Sequence, residues 1–458
     1  MSPPGLALST VGAKELAAEH PRLATQTFPI PAPGSTVLLP SSNRRLGYCE
    51  LLDPNTPPES LRTVVLIPGS PGCRLFTHPD VAKRGFVPSW RLIILERPGL
   101  GLSDPAPDTY SYTDFAADFR EFCAQLGLSR VSVIGFSAGT PFATALACTP
   151  SAPPKAPQPP SNDTKEPAGG VEAAAAAAAE KAEAEDPSKP GTEDAAAAAP
   201  QAATEAAETA AAEAGTTAGG EAPQGSGRAV EGVVVERVAL VSAIGPPDSP
   251  NKRQGMALLF QIAYWASASL PWLVRWLVRS EANGMRRRPV HGIREAFAPY
   301  GKIDVDVLKR PEIEAMFLES ALELYSRGQE EAVAREAIAF AGRPWGLDLG
   351  ACAAGPTRVA VWQGALDRGC TPAMASCLVE RLNGGSGGVG GGEDGGEGRA
   401  RLRLVEGAGH MLYFDVWGDV VAWVDGADSL EGGGRGGAGA DGGAPGAGVE
   451  AGAGPAVA

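Results

Sequence analysis

Residues 130–147 read RVSVIGFSAGTPFATALA, and their pattern is the strongest indication of the fold. Its first part, residues 130–136, is a largely apolar run without polar alternation, which is typical of a strand buried on both faces of a sheet. Ser137 is the central residue of a Gly-x-Ser-x-Gly pattern that follows this run. Residues 141–148, after the pattern, have a composition typical of a helix. A strand, a tight turn and a helix in this order predict a serine hydroxyl that lies above the end of a buried strand.

A second Gly-x-Ser-x-Gly match surrounds Ser386, inside the glycine-rich stretch 383–399. In a chain with 59 glycines such matches arise by chance, so the pattern alone carries little weight. Ser386 has neither an apolar strand before it nor a helix after it. The flanking sequence therefore selects Ser137 as the candidate nucleophile.

Further apolar runs extend the sheet on both sides of this turn. The predicted strands are residues 35–40, 44–52, 63–68, 91–95, 130–136, 233–243, 358–362 and 402–405. Helices are predicted at 112–126, with Thr113 as the N-cap, and at 141–148 and 372–382. Strands that alternate with helices predict right-handed crossovers and a mostly parallel, twisted α/β sheet with helices on both faces.

Composition separates a foldable part of the 458-residue chain from three stretches rich in Gly, Pro, Ala or Glu. Such stretches cannot bury enough apolar surface to offset chain entropy, so we expect them to be disordered. The predicted organisation is an N-terminal extension (1–33), the first part of the core (34–148), a disordered Ala/Pro/Glu-rich insertion (149–230), a core strand (231–250), a helical cap (251–345), the last part of the core (346–425) with a Gly-rich insertion (383–399), and a disordered Gly/Ala tail (426–458).

The two insertions and the cap are expected at opposite edges of the sheet. Each insertion connects a helix to the next strand, so it leaves the sheet away from the edge where ligands bind. The cap follows a strand directly and is therefore expected to lie over the functional site.

Charge and cysteine usage exclude several classes of partner. The formal net charge is −14 without a basic stripe, which argues against nucleic acid as a partner. The seven cysteines include no C-x-x-C pair, which fits a reducing compartment and argues against a disulfide scaffold or a zinc site. The sequence contains no phosphate-binding glycine loop or metal-ligand motif, so neither a cofactor nor a metal is expected.

The N-terminal sequence gives evidence on where in the cell the protein is located. Residues 1–31 lack a basic region followed by an apolar run, so no secretory signal is predicted. Glu15 and Glu19 argue weakly against a transit peptide. A cytoplasmic location is expected, with organellar import left open.

One apolar run, residues 256–278, is long enough to cross a bilayer. Gln261, Pro271 and Arg275 interrupt it, and a charge inside a membrane is costly. A pair of cap helices is therefore favoured over a membrane span. Because the run is rich in tryptophan and followed by arginines, peripheral membrane contact through the cap stays open as a hypothesis.

A serine hydroxyl needs a base to activate it and an acid to orient that base. Of the four histidines, His410 alone comes directly after the last predicted strand, and we predict it as the base. Asp367 follows the next-to-last strand and is the predicted acid, with Asp248 as the alternative. The remaining histidines lie in the N-terminal extension, a loop and the helical block: His20, His78 and His291.

Acyl transfer also needs backbone N–H groups that stabilise a developing oxyanion. The N–H of Ala138, next to the nucleophile, is one expected donor. The second is expected on the loop after the strand 63–68, where Ser70 lies in the sequence Gly-Ser-Pro-Gly.

The stretch 44–147, together with 233–250 and 356–424, resembles the α/β-hydrolase superfamily. It looks like the group with an H-G-x-P-G oxyanion loop and a D-R-P-G-x-G-x-S turn, which here read PGSPG at 68–72 and ERPGLGLS at 96–103. Pro68 replaces the loop histidine, and Glu96 replaces an aspartate that is structural in the family. The resemblance implies the α/β-hydrolase fold. Serine at position 137 disfavours the epoxide-hydrolase and dehalogenase chemistries of relatives that have aspartate there.

The function expected from these features is hydrolysis of a carboxylic ester through an acyl-serine intermediate. An apolar cap over the serine favours a small-molecule ester with a hydrophobic acyl group. Two alternatives stay open: a lipase that works at a membrane surface, and a catalytically silent α/β-hydrolase that serves as a binding module.

Overall fold

The computed structural model describes residues 9–30, 34–149, 232–385 and 399–430. All of them belong to one compact unit. Most of the two predicted insertions and most of the predicted tail lie outside the described residues, as does Ser386.

An eight-stranded sheet forms the centre of the described chain, in the order β1-β2-β4-β3-β5-β6-β7-β8. The first two strands pair antiparallel, and the remaining strands are parallel to one another. The strands are β1 (Ser35–Leu39), β2 (Arg44–Leu51), β3 (Arg62–Ile67), β4 (Trp90–Leu95), β5 (Arg130–Phe136), β6 (Val234–Val241), β7 (Arg358–Gly364) and β8 (Ala400–Val405). The predicted mostly parallel sheet is therefore confirmed.

Strand β5 shows why the apolar runs do not alternate with polar residues. Ile134 and Phe136 pack into the apolar cluster on one face of the sheet, whereas Val131 and Val133 pack into the cluster on the other. Both faces are covered, so both sets of side chains leave water. The parallel strands β3, β5, β6 and β7 end at one edge, and their following turns come together there.

The described helices are α1 (Thr10–Glu19), α2 (Pro21–Ala24), α3 (Pro79–Arg84), α4 (Tyr112–Gln125), α5 (Thr140–Cys148), α6 (Leu258–Ser269), α7 (Pro271–Arg287), α8 (Pro289–Phe297), α9 (Lys302–Leu308), α10 (Pro311–Ser326), α11 (Glu330–Gly342), α12 (Ala351–Ala354), α13 (Pro372–Leu382) and α14 (Trp417–Val424). Four short 3-10 helices accompany them, at Pro58–Ser60, Ser137–Gly139, Ala298–Tyr300 and His410–Phe414.

The N-cap of α4 differs from the prediction. Ser111, not Thr113, caps this helix: its hydroxyl accepts from the N–H of Asp114, whose carboxylate accepts from the N–H of Ser111. The prediction of Thr113 was wrong because the reciprocal bonds of a capping box join residues three apart, and the acidic member here is Asp114.

The apolar run 256–278 forms two cap helices, as predicted. Helix α6 ends at Ser269, and Pro271 begins α7, where a missing N–H costs nothing. Within the described residues, no helix is both long and apolar enough to span a membrane. Helices α6–α11 together make up the cap.

The predicted N-terminal extension packs against this cap. Leu16 of α1 is fully buried, and the imidazole of His20 contacts the buried carboxylate of Glu314 on α10, 2.9 Å away. The N–H of Ile30 donates to Glu323, also on α10. Residues 9–30 are therefore part of the packed structure.

The described fold continues to Leu430, beyond the predicted boundary of the tail at 426. Asp428 accepts a hydrogen bond of 2.7 Å from Arg358 of β7, and the carbonyl of Leu430 accepts from Arg403 of β8. These bonds use a single carboxylate and a main-chain carbonyl, groups that low-complexity sequence also carries.

Candidate active site

Ser137 lies in a strained turn between β5 and α5. Its backbone has φ of +49°, a left-handed conformation that is rare for residues other than glycine. Gly139 is required there, since a Cβ at this position would lie 2.2 Å from the carbonyl oxygen of Ile67 on β3. The turn predicted from Gly-x-Ser-x-Gly is thus formed, with Ser137 at the carboxyl edge of the sheet.

The three residues predicted as nucleophile, base and acid lie together. The Ser137 Oγ is 3.0 Å from His410 Nε2, and His410 Nδ1 is 2.9 Å from Asp367 Oδ2. All three are buried, with exposed fractions of 8%, 2% and 2% for Ser137, His410 and Asp367. One continuous line of hydrogen bonds therefore connects hydroxyl, imidazole and carboxylate beneath the cap.

Asp367 is oriented by its own loop. Its Oδ1 accepts from the N–H groups of Gly369 and Cys370, at 2.8 and 2.9 Å. Its Oδ2 accepts from the side-chain amide of Gln363 at 3.0 Å, which leaves one lone pair for His410. The carboxylate thus favours the tautomer in which Nδ1 carries a proton and Nε2 can accept one from Ser137.

The electrostatics of His410 are set by its burial and by two neighbouring side chains. Burial is the largest single influence and lowers the pKa of His410, but the charge of Asp367, the neighbouring Cys370 and the hydrogen bonds to both together outweigh it and raise the pKa well above its usual value. The imidazolium form is therefore stabilised in the site. A base that becomes positively charged during the reaction benefits from such an environment.

Two cap residues contact the base and were not predicted. The ring of Tyr300 stacks on the imidazole of His410, with centroids 4.4 Å apart and planes at 25°. Asp304 of α9 accepts from the N–H of Met411 at 2.7 Å. Burial raises the pKa of Asp304, an effect that the N–H of Met411 and the nearby His410 partly offset. No motif marks either residue, because the contacts join the cap to a loop more than a hundred positions later.

The loop with the second predicted oxyanion donor runs beside the nucleophile. A Cβ at Gly69 would lie 3.0 Å from the Ser137 Cβ, so the residues around Ser70 lie close to it. Ala138, the other predicted donor, follows Ser137 directly and is buried.

Arg97, from the turn after β4, supports this loop. Its buried guanidinium donates to the carbonyl oxygens of Pro68 and Gly69 and to the carboxylate of Glu336 on cap helix α11. The loop backbone is thus attached to the cap, even though the family's loop histidine is replaced by Pro68.

Glu96 has the structural role that its family position implies. It is fully buried and accepts from the N–H of Leu102 and from the side chain of Arg74. Burial raises its pKa, and Arg74 partly offsets this rise. The larger side chain fits because Gly101 faces it, where a Cβ would lie 1.7 Å from Glu96 Oε1.

The alternative acid is not at the site. Asp248 is exposed, and both of its carboxylate oxygens accept from Arg381, at 2.9 and 3.0 Å. Its role as acid is therefore not supported, because a carboxylate engaged at the surface cannot orient the buried imidazole.

Of two cavities in the described chain, one reaches the candidate acid and the other lies beside cap helix α11. One of about 380 Å³ lies between residues 98–112 and helix α11, and its lining includes Tyr112 and Phe142. The other, of about 660 Å³, lies on the far side of the acid and is lined by Asp367, Tyr300 and Asp304. Ser137 lines neither cavity.

Known proteins are similar to this chain at low sequence identity. A family model described as the α/β hydrolase fold matches residues 62–157, and no curated protein matches by sequence. Solved structures that are similar include an esterase from Exiguobacterium antarcticum (16% identity, 86% of this chain and 100% of that chain, TM-score 0.46), a thermophilic esterase from Thermogutta terrifontis (15%, 86% and 97%, 0.46) and a bromoperoxidase from Bacillus anthracis (13%, 83% and 94%, 0.43). The family model covers only residues 62–157, and the strand order and the turn at Ser137 show that the described chain has the α/β-hydrolase fold.

Proposed function

We propose that this protein is a serine hydrolase that cleaves a carboxylic ester through an acyl-serine intermediate. The observation that carries the proposal is the unbroken line of hydrogen bonds from Ser137 Oγ through His410 to Asp367. A buried imidazole between a hydroxyl and a carboxylate has the geometry that nucleophilic acyl transfer requires.

The proposed reaction begins when Ser137 Oγ attacks the ester carbonyl carbon and His410 Nε2 accepts the hydroxyl proton. The Asp367 carboxylate stabilises the imidazolium, and the N–H groups of Ser70 and Ala138 stabilise the oxyanion. The imidazolium then protonates the leaving alkoxide as the C–O bond breaks. A water molecule, deprotonated by His410, releases the acid and regenerates the serine.

The surroundings favour a hydrophobic acyl group as the substrate. Ser137 is buried next to Phe136 and Ala138. The cavity beside α11 has Tyr112 and Phe142 in its lining, together with charged side chains such as Arg275 and Glu331. Desolvated apolar walls contribute binding energy mainly through the apolar area they remove from water.

Labelling with a fluorophosphonate probe tests the proposal. The wild-type chain should be labelled, and the Ser137→Ala variant should not. Ser386→Ala is a matched control because Ser386 has the same Gly-x-Ser-x-Gly flanks, and its labelling should equal that of the wild type. An unlabelled wild type would contradict the proposal and favour the silent binding module. A series of p-nitrophenyl esters of graded chain length would then define the acyl preference.

A second candidate, an acyl hydrolase that works at a membrane surface, rests on one observation. The outer face of α6 and α7 exposes large apolar side chains, with Trp272 and Trp276 at 64% and 59% exposure. Arg279 lies on the same helix and is also exposed. Exposed tryptophans beside arginines fit the interface of an anionic lipid layer.

A further inference from the structure

A third potential metal ligand lies beside the acid and the base. The thiol sulfur of Cys370, a carboxylate oxygen of Asp367 and a ring nitrogen of His410 all lie within 4.8 Å of one another. All three residues are buried. The thiol of Cys370 has no part in the proposed hydrolysis, whereas its backbone N–H donates to Asp367.

The donor atoms fit one class of metal ion. Thiolate, imidazole and carboxylate are the ligands that Zn²⁺ takes in proteins, with bond lengths of about 2.0 Å to N and O and about 2.3 Å to S. With one carboxylate the group offers too few oxygen ligands for Mg²⁺ or Ca²⁺.

The charges also balance. A Zn²⁺ ion with one thiolate, one carboxylate and a neutral imidazole forms a neutral group, and neutrality limits the cost of burying the ion away from water. The cavity of about 660 Å³ reaches the group at Asp367, and the carboxylate of Asp304 also lines it. Two cations, Lys302 and Arg368, also line it, so the cavity is mixed in charge.

We propose that Cys370, Asp367 and His410 form an inhibitory site for Zn²⁺ and similar thiophilic divalent ions. Binding displaces the thiol proton of Cys370 to solvent and shifts the Nδ1 proton of His410 to Nε2, so that the imidazole stays neutral. The metal bond at Nδ1 removes the hydrogen bond to Asp367 and withdraws electron density from the ring. Nε2 then no longer accepts the Ser137 proton. The inhibition rests on the proposed function, whereas the binding itself does not.

The binding is tested on the full-length, untagged chain by zinc competition with a chromogenic chelator. The wild type should retain one zinc ion per chain, and Cys370→Ala should lose at least about tenfold in affinity because one of three ligands is gone. Cys377→Ala is the matched control, since Cys377 is a buried thiol outside the group. Equal affinity in wild type and Cys370→Ala would overturn the proposal.

Zinc-edge X-ray absorption on the wild type gives a test that needs no variant. One sulfur neighbour at about 2.3 Å, with nitrogen or oxygen completing the shell, is expected. Two sulfur neighbours would instead indicate the adjacent thiols Cys148 and Cys352, and would overturn the assignment.

Inhibition is measured as the ratio of activity with and without metal in each variant. Zn²⁺ and Cd²⁺ should inhibit the wild type, Mg²⁺ and Ca²⁺ should not, and Cys370→Ala should raise the half-inhibitory zinc concentration by about tenfold or more. If the wild type hydrolyses no ester, the proposed function fails, while the chelator and absorption measurements still decide the metal site. Bound zinc without loss of activity would refute the inhibitory role.

Discussion

The ring of Tyr300 lies against the imidazole of His410, with ring centroids 4.4 Å apart. The ring of Phe260 in turn packs against Tyr300, with centroids 4.5 Å apart. Phe260 and Tyr300 belong to the cap, whereas His410 belongs to the loop after β8. The cap is thus in direct contact with the proposed base, so its packing helps to fix the orientation of the imidazole.

The first prediction concerns this stack. Tyr300→Ala should lower kcat by about ten- to a hundredfold, because an imidazole that rotates by a small angle no longer aligns with Ser137. Tyr300→Phe keeps the ring and should leave kcat close to that of the wild type. Steady-state kinetics on a soluble ester distinguishes the two. A similar loss in both variants would show that the hydroxyl, not the ring, is what matters.

The second prediction concerns Asp304. Its carboxylate accepts from the N–H of Met411, and its negative charge stabilises the imidazolium of His410. Removing that charge in Asp304→Asn lowers the pKa of His410. Activity requires neutral imidazole and therefore rises with pH through this pKa, so the acid limb of kcat/KM should move to lower pH.

Asp306→Asn is the control for Asp304. Asp306 lies on the same helix, but it is exposed and pairs with Lys302 at the surface. Its pH profile should match that of the wild type. An unmoved acid limb in Asp304→Asn would mean that Asp304 acts on His410 through structure alone.

The third prediction separates the two candidate acids. Asp367→Asn should lower kcat by about 10⁴, the scale known for this change in a serine protease, since the amide favours the wrong imidazole tautomer. Asp248→Asn should leave kcat unchanged, because Asp248 pairs with Arg381 at the surface. Single-turnover acylation with an activated ester measures the step directly. Equal effects of the two substitutions would refute Asp367 as the acid.

The sequence predicts the contacts that follow from chain order. Ser137, Asp367 and His410 each come after a buried strand, and parallel strands bring such positions to one edge of the sheet. Chain order does not predict the contacts of Tyr300, Asp304 or Cys370 with the site. The first two lie on cap segments whose position depends on tertiary packing, and nothing in the spacing of Cys370 resembles a metal motif. The packing of residues 9–30 was missed for a similar reason, because their partners lie on the cap helices α7, α8 and α10.

The last prediction concerns the outer face of the cap, where Trp272 and Trp276 lie one helical turn apart and are both exposed. If this face meets a lipid surface, the wild type should float with anionic phospholipid vesicles, and Trp272→Ser/Trp276→Ser should reduce the bound fraction severalfold, because each buried indole contributes apolar area. Leu38→Ser removes an exposed apolar side chain from β1 and should bind like the wild type. Activity on a short soluble ester should be equal in all three proteins, since the tryptophans lie outside the proposed relay. If the wild type does not float with the vesicles at low salt, the membrane-surface proposal is contradicted. Hydrolysis of a soluble ester then remains as the proposed function.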